Sequence, residues 1–164
     1  MRAIVAVAIG WVGALLCLAP VRAAGPAGSR PGFDPTHAVL GNWLVQSRDG
    51  IIQISRAPDG TYQGRIVGGT DPRSLDRKNP DPAKRRNTLK GTLIMTGLKY
   101  DGDSRWSAGA IYDPDSGKLY KCSMQLIDQD HLRLRGFFGI SLLGRNQVWT
   151  RYLGAQMDLT GPVP

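Results

Sequence analysis

The stretch WSAGAIYDPDSGKLYKCSMQL, Trp106 to Leu126, reads as two strands joined by a tight turn. Ile111-Tyr112 runs into Asp113-Pro114-Asp115-Ser116-Gly117, and Lys118-Leu119-Tyr120 resumes the extended pattern. Each turn residue has its own reason to be there. An Asp side chain bonds its own backbone, Pro fixes φ, and Gly tolerates positive φ. Beyond the turn, Tyr120, Cys122, Met124 and Leu126 alternate with Lys121, Ser123 and Gln125, the period of a half-buried strand. The architecture that follows is antiparallel and all β.

Working outward, the same grammar recurs. Gly41 to Val45 opens a first strand, and Asp49-Gly50 is a two-residue hairpin signal. Ile51 to Arg56 returns, Pro58-Asp59-Gly60 turns, and Tyr62 to Val67 forms a third strand ended by Gly68-Gly69. Thr92 to Thr96, Trp106 to Tyr112, Lys118 to Leu126, His131 to Phe138 and Gln147 to Tyr152 complete the set. Turns at Asp101-Gly102-Asp103 and Asp128-Gln129-Asp130 separate them. Eight short, regularly punctuated strands predict a sandwich or an up-and-down barrel, and no long 3.6-periodic segment supplies a helical layer. All thirteen acids are Asp, with no Glu anywhere. Asp favours turns and caps over helix interiors, which suits a strand-and-turn protein.

The amino terminus carries different information. Met1-Arg2, an apolar run from Ala3 to Leu18 and Val21-Arg22-Ala23 have the layout of a secretory signal peptide, with cleavage expected after Ala23. The run is short for a membrane span, which needs about 20 apolar residues. Cys17 lacks the small preceding residue of a lipidated cysteine, since Ala14-Leu15-Leu16 stands before it. The expectation is an exported protein, periplasmic or secreted. Subtracting Arg2 and Arg22 from 21 basic residues leaves 19 against 13 acidic, a net charge of +6. Cys122 is then the sole cysteine, so no internal disulfide forms and the fold rests on its core. About 140 residues suffice for one such core. Residues 24–38 are rich in Gly and Pro and read as a flexible arm, 39–152 as the barrel domain and 153–164 as a tail.

One long interruption breaks the strand rhythm: Thr70 to Leu89, TDPRSLDRKNPDPAKRRNTL. A structureless loop of this length needs its own order or its own function. Asp81 is a good N-cap, Pro82 suits a first helical position, and Ala83-Lys84-Arg85-Arg86 follows, so a helical turn is expected. Arg77, Lys78, Arg85 and Arg86 are candidate contacts for an anionic group, and the segment is also a candidate cover for a barrel mouth. The plainer reading is a solvated connection whose Asp and Asn side chains bond its own backbone.

Several motifs taken in order carry a resemblance. Gly41-Asn42-Trp43, DRKNPDPAKRRNTLKG (Asp76 to Gly91), IYDPDSGKLYKC (Ile111 to Cys122) and LRLRGFFGISLLGRNQVWTR (Leu132 to Arg151) resemble the bacterial domain-of-unknown-function family 2147. That resemblance spans about Val39 to Tyr152 and implies a secreted, lipocalin-like β-barrel of the calycin type. Asn87-Thr88 stands where members often carry a basic residue and proline, which implies a less rigid loop here. Lipocalin-like barrels also pair a Gly-x-Trp on the first strand with an Arg on the last. Trp43 and Arg151 are the candidates, in a structural role that closes one end by cation–π attraction.

An eight-stranded barrel is either filled by side chains or just wide enough for one small ligand. Alternation suggests an interior of Ile52, Ile54, Ile66, Leu93, Met95, Ala108, Ala110, Tyr120, Met124 and Leu134. Ile54, Ile66, Met95, Ala108, Ala110, Tyr112, Tyr120 and Met124 are the candidate ligand-lining residues, with a tyrosine as polar handle. These assignments depend on register, because a one-residue slip inverts a strand. Catalytic readings fare badly. Gly139-Ile140-Ser141-Leu142-Leu143-Gly144 puts its second glycine one place too late for a nucleophile elbow. His131, Asp130 and Ser141 have no spacing that brings them together as a triad. No cofactor is expected, and two His, one mature Cys and scattered Asp form no metal-ligand pattern. Cys122 alternates with Tyr120 and Met124, as a buried inert thiol would. Export and the lack of aromatic–basic clustering argue against nucleic acid. Two non-enzymatic functions remain. One is a carrier or sensor of a small apolar or amphipathic ligand. The other is an envelope protein whose basic loops meet anionic lipid headgroups or a protein partner.

Overall fold

Eight antiparallel strands close on themselves in sequence order: β1 (Gly41–Leu44), β2 (Gly50–Arg56), β3 (Tyr62–Gly69), β4 (Leu93–Gly102), β5 (Arg105–Asp113), β6 (Lys118–Leu126), β7 (His131–Phe137) and β8 (Arg145–Arg151). The computed structural model describes residues 33–138 and 144–154. The expected signal segment 1–23, most of the arm, Ser141 and all but the first two residues of the tail lie outside the described residues. Closure is made by β1 against β8, with Trp43 opposite Arg151 and Leu44 opposite Thr150. Of the two all-β architectures that the strand spacing allows, the chain adopts the up-and-down barrel.

The turns are built by aspartate. Asp59 accepts from the Thr61 N–H at 2.9 Å, Asp113 from the Asp115 N–H at 3.0 Å, and Asp128 from the N–H groups of Asp130 and His131 at 2.8 Å each. A short carboxylate two residues upstream satisfies a turn donor that no strand can reach. The arm, expected to be irregular, ends in a four-residue helix, α1 (Pro35–Ala38). Asp34 caps it by accepting from the Thr36 N–H at 2.8 Å, and Pro35 sits at its start. Asp34-Pro35 is the same cap signal as Asp81-Pro82, and the Gly/Pro-rich sequence before it masked that signal.

One end of the barrel is sealed. The Arg151 guanidinium lies 4.3 Å from the centroid of the Trp43 ring. It also donates to the carbonyls of Leu40 at 3.2 Å, Ala38 and Gln129. Trp43 Nε1 donates to the Val39 carbonyl at 2.9 Å, and the Tyr62 hydroxyl donates to that of Thr36 at 3.2 Å. The pairing that the resemblance implied is therefore present, and α1 is tied beneath it. Above this seal, Trp43, Trp106, Trp149, Tyr62, Ile54, Met95, Leu98 and Leu132 are wholly buried. That half of the barrel is filled.

Two of the expected interior residues are on the outside. Between Trp106↔Met124 and Gly109↔Cys122, β5 carries Ser107 and Ala108 where β6 carries only Ser123. Ala108 is the extra residue of a β-bulge, at φ +60°, and it is exposed. Strict alternation fails there, so Gly109 and Ile111 face inward, and Ala110 faces outward opposite Thr96 and Lys121. On β4, Gly97 at φ +71° makes the matching step, which keeps Met95 and Leu98 inside. Gly109 is needed at the crossover, because a Cβ there would sit 2.5 Å from Leu98 Cγ and 3.0 Å from Cys122 Sγ. Gly109→Ala overfills this contact and should lower stability by about 2 kcal/mol. Urea unfolding of the variant checks this through a lower midpoint at unchanged slope.

Candidate functional site

The opposite end gathers the β1–β2 turn, the long segment from Thr70 to Thr92 and the β5–β6 hairpin. The long segment has internal order. Leu75 and Thr88 form an antiparallel bridge, and the Asp76 N–H donates to the Asn87 carbonyl at 2.9 Å. Asp81 caps a 3-10 turn over Pro82–Lys84, as its sequence predicts. Its main anchor is Asp76, the one buried charged residue among the described residues, at 2 % exposure. One carboxylate oxygen accepts from the Tyr112 hydroxyl at 2.6 Å and the other from Asn79 Nδ2 at 2.6 Å. Burial, and secondarily Asp76 itself, push the Tyr112 hydroxyl up to about 12. A second anchor lies at the hairpin, where Lys78 Nζ donates to the Asp115 carbonyl. Gly117 at φ +69° admits the Lys78 backbone, since a Cβ there would stand 2.0 Å from the Lys78 carbonyl oxygen.

Ile111 faces inward, so Tyr112 lies on the opposite, outer face of β5, and the segment is pinned to the wall at that point. Tyr112 is thus a latch for the loop rather than a polar handle inside the barrel. Sequence reasoning missed this role, because nothing local connects Asp76 to a tyrosine 36 positions later.

The interior at this end differs from the sealed half. On β8 the inward series is Trp149, Gln147 and Arg145, opposite Leu132, Leu134 and Gly136. Trp149 is 2 % exposed, whereas Gln147 and Arg145 are exposed although they face inward. Gln147 Oε1 accepts from Trp149 Nε1 at 2.9 Å, so an indole edge and an amide form the floor. The wall above it carries Ile111 opposite Tyr120, and the Tyr120 ring meets Phe138 edge-on at 6.5 Å. Phe138 is 74 % exposed at the rim. The result, among the described residues, is an apolar and aromatic mouth with Arg145 at an inward register position beside it.

The remaining candidates divide among these places. Ile54, Met95 and Met124 are buried deep in the filled half, where they support the floor rather than line a mouth. Ile66 is half-buried against the core, and Tyr120 is on the wall. Ala108 and Ala110 are outside the barrel because of the bulge. Among the loop cations, Lys78 is spent on Asp115 and Arg85 donates to the Asn79 carbonyl at 2.8 Å, while Arg77 and Arg86 are exposed. Arg145 and Gln147 went unread in the sequence, although counting back in twos from Trp149 finds them. His131 Nδ1 bonds both oxygens of Asp128 at 2.9 Å, and Asp130 instead approaches Arg151 at 3.8 Å. Cys122 is 1 % exposed, and burial pushes its thiol up to about 12, which leaves it protonated and unreactive at neutral pH.

Residues 41–151 match the family described as "Uncharacterized protein conserved in bacteria (DUF2147)". No curated protein sequence matches significantly. Among solved structures, the chain is similar to protein HP1028 from the human pathogen Helicobacter pylori, described as belonging to the lipocalin family. The two share 18 % identity at a TM-score of 0.64, over 70 % of this chain and 83 % of that one. At that identity the likeness is one of fold.

The Asp76–Tyr112 bond sets two expectations. Tyr112→Phe leaves a buried carboxylate oxygen without its donor, at a cost of about 1–2 kcal/mol. Limited trypsinolysis should then cut between residues 77 and 86 about tenfold faster than in the parent. Because the Tyr112 proton is held more tightly folded than unfolded, its contribution is complete below pH about 10 and is lost as pH climbs toward 12. A pH series of unfolding midpoints should show that loss in the parent and not in Tyr112→Phe.

Proposed function

Since the chain belongs to the DUF2147 family and folds as a lipocalin-like barrel, we propose that it is a non-enzymatic binding protein for a small amphipathic molecule. One observation carries this reading: the inner face of β8 passes from buried Trp149 to exposed Gln147 and Arg145. A barrel filled throughout would not leave two inward positions open to solvent. Ile111, Tyr120 and Phe138 offer the ligand's apolar body an aromatic wall, and Gly136 leaves room beside Arg145. Burying apolar ligand surface there gains about 25 cal/mol per Å², and Arg145 adds a charge-assisted hydrogen bond to an acidic head. The filled floor limits depth, so a single short chain or ring fits better than a long lipid. The signal-peptide-like layout of residues 1–23 supports a location in the bacterial envelope or outside the cell.

The test is a titration with an anthroyloxy-labelled fatty acid and with the matching fatty alcohol, beside native mass spectrometry of protein taken from its own host. Saturable binding of the acid is expected, weakened about tenfold in Arg145→Ser. The alcohol should bind equally to both proteins. A clean unliganded mass together with no uptake of either probe would sink the proposal.

A further inference from the structure

A second concave surface lies on the outside of the barrel, away from the mouth. It is a groove of about 220 Å³ whose lining includes Asp101, Arg105, Ser107, Ser123, Gln125 and Arg133. The pairing register explains how these residues meet. Arg105, Gln125 and Arg133 form one cross-strand row on β5, β6 and β7, and Ser123 opens the next row with Arg135 and Asn146. All of them fall on the outward face, opposite the buried series Trp106, Met124 and Leu134. Neighbouring strands are about 4.8 Å apart, so the Arg105 and Arg133 backbones stand roughly 10 Å apart across Gln125. Two guanidinium groups at that spacing converge over one anion the size of a phosphate.

Several cations of the long segment are held internally. Lys84 of the long segment pairs with Asp81, and Lys78 and Arg85 hold the segment's own carbonyls. Arg105 and Arg133 make no ion pair among the described residues, and Arg133 spends one N–H on Gln125 Oε1 at 3.2 Å. Asp101 is the single acid in the lining. It repels a bare polyanion and accepts from a hydroxyl, while Ser107 and Ser123 donate or accept between it and the arginines.

From this arrangement we infer that the outer groove of β5–β7 is a binding site for a phosphorylated sugar. Arg105 and Arg133 clamp the phosphate, and Asp101 takes a sugar hydroxyl. The sugar phosphate is either a free metabolite or the phosphorylated saccharide headgroup of an envelope glycolipid. This site stands apart from Arg145 and does not depend on the ligand in the mouth.

The experiment is an NMR titration of backbone amides and arginine Nε–H groups with glucose 6-phosphate, with glucose as control. Sedimentation with phosphatidylcholine vesicles, plain or containing monophosphorylated lipid A, runs beside it. Saturable shifts confined to Ser107, Ser123, Gln125, Arg105 and Arg133 are expected with glucose 6-phosphate and not with glucose. Arg105→Ser/Arg133→Ser should lose about tenfold or more in affinity, and Ser123→Asp, which places a carboxylate in the row next to the arginines, should weaken binding in the same direction. Arg85→Ser/Arg86→Ser and Arg145→Ser should leave it unchanged. Binding of the sugar phosphate alone assigns a free ligand, and binding of the lipid A vesicles alone assigns a headgroup. Binding to neither, or equal binding by the double arginine variant, overturns the inference.

Discussion

The Arg151 guanidinium is the contact on which the barrel's closure rests. It stacks on Trp43 across the seam between the first and last strands, and its N–H groups reach the carbonyls of Ala38, Leu40 and Gln129. Only two residue pairs join β1 to β8, so the seam is short. A planar fork with five donors suits this place, since it binds three carbonyls on two separate segments while lying flat on an indole. Burial lowers the Arg151 pKa, with Asp130 acting in the opposite direction. By removing two sheet edges at once, the seam also removes the exposed templates on which open sheets aggregate.

With one end sealed, the proposed binding role falls to the other. Three buried tryptophans and Tyr62 occupy the lower barrel, so a ligand of the proposed kind would have room only above them. The bulge at Ala108 serves the same division. It turns Gly109 inward where Leu98 and Cys122 crowd together, and turns two alanines outward that would have left space inside. The filled half therefore owes its density to a backbone irregularity as well as to large side chains. Trp106 Nε1 is buried there without an acceptor among the described residues, the cost of fitting an indole edge-on to Tyr62 and tilted against Tyr100.

Much of this architecture was legible in the letters. The eight strands, their turns, the Asp81 cap and the Trp43–Arg151 pair follow from short-range signals or from motif order. The sites were less legible, for a definite physical reason. Alternation predicts faces only while the strand stays regular, and Ala108 has no local mark of the left-handed conformation that it adopts. Asp76 and Tyr112, or Arg105 and Arg133, become neighbours only through strand pairing, which a linear reading does not supply. The turn aspartates were easiest of all, since their partners are two or three residues away.

That last feature has an effect on how the whole molecule would orient. Every described aspartate sits in a turn, a loop or a strand end at the barrel's two rims, and Asp34, Asp59, Asp71, Asp81, Asp113 and Asp128 accept backbone N–H groups there. The cations Arg65, Lys99, Lys121, Arg133 and Arg135 lie along the strands between those rims. The long segment at the mouth adds seven more, Arg73, Arg77, Lys78, Lys84, Arg85, Arg86 and Lys90, against Asp71, Asp76 and Asp81. The field is therefore most positive at the mouth end, while the turns of the sealed rim carry Asp59, Asp101, Asp103, Asp128 and Asp130. Drawn toward a negatively charged surface, such a body turns its mouth end toward that surface.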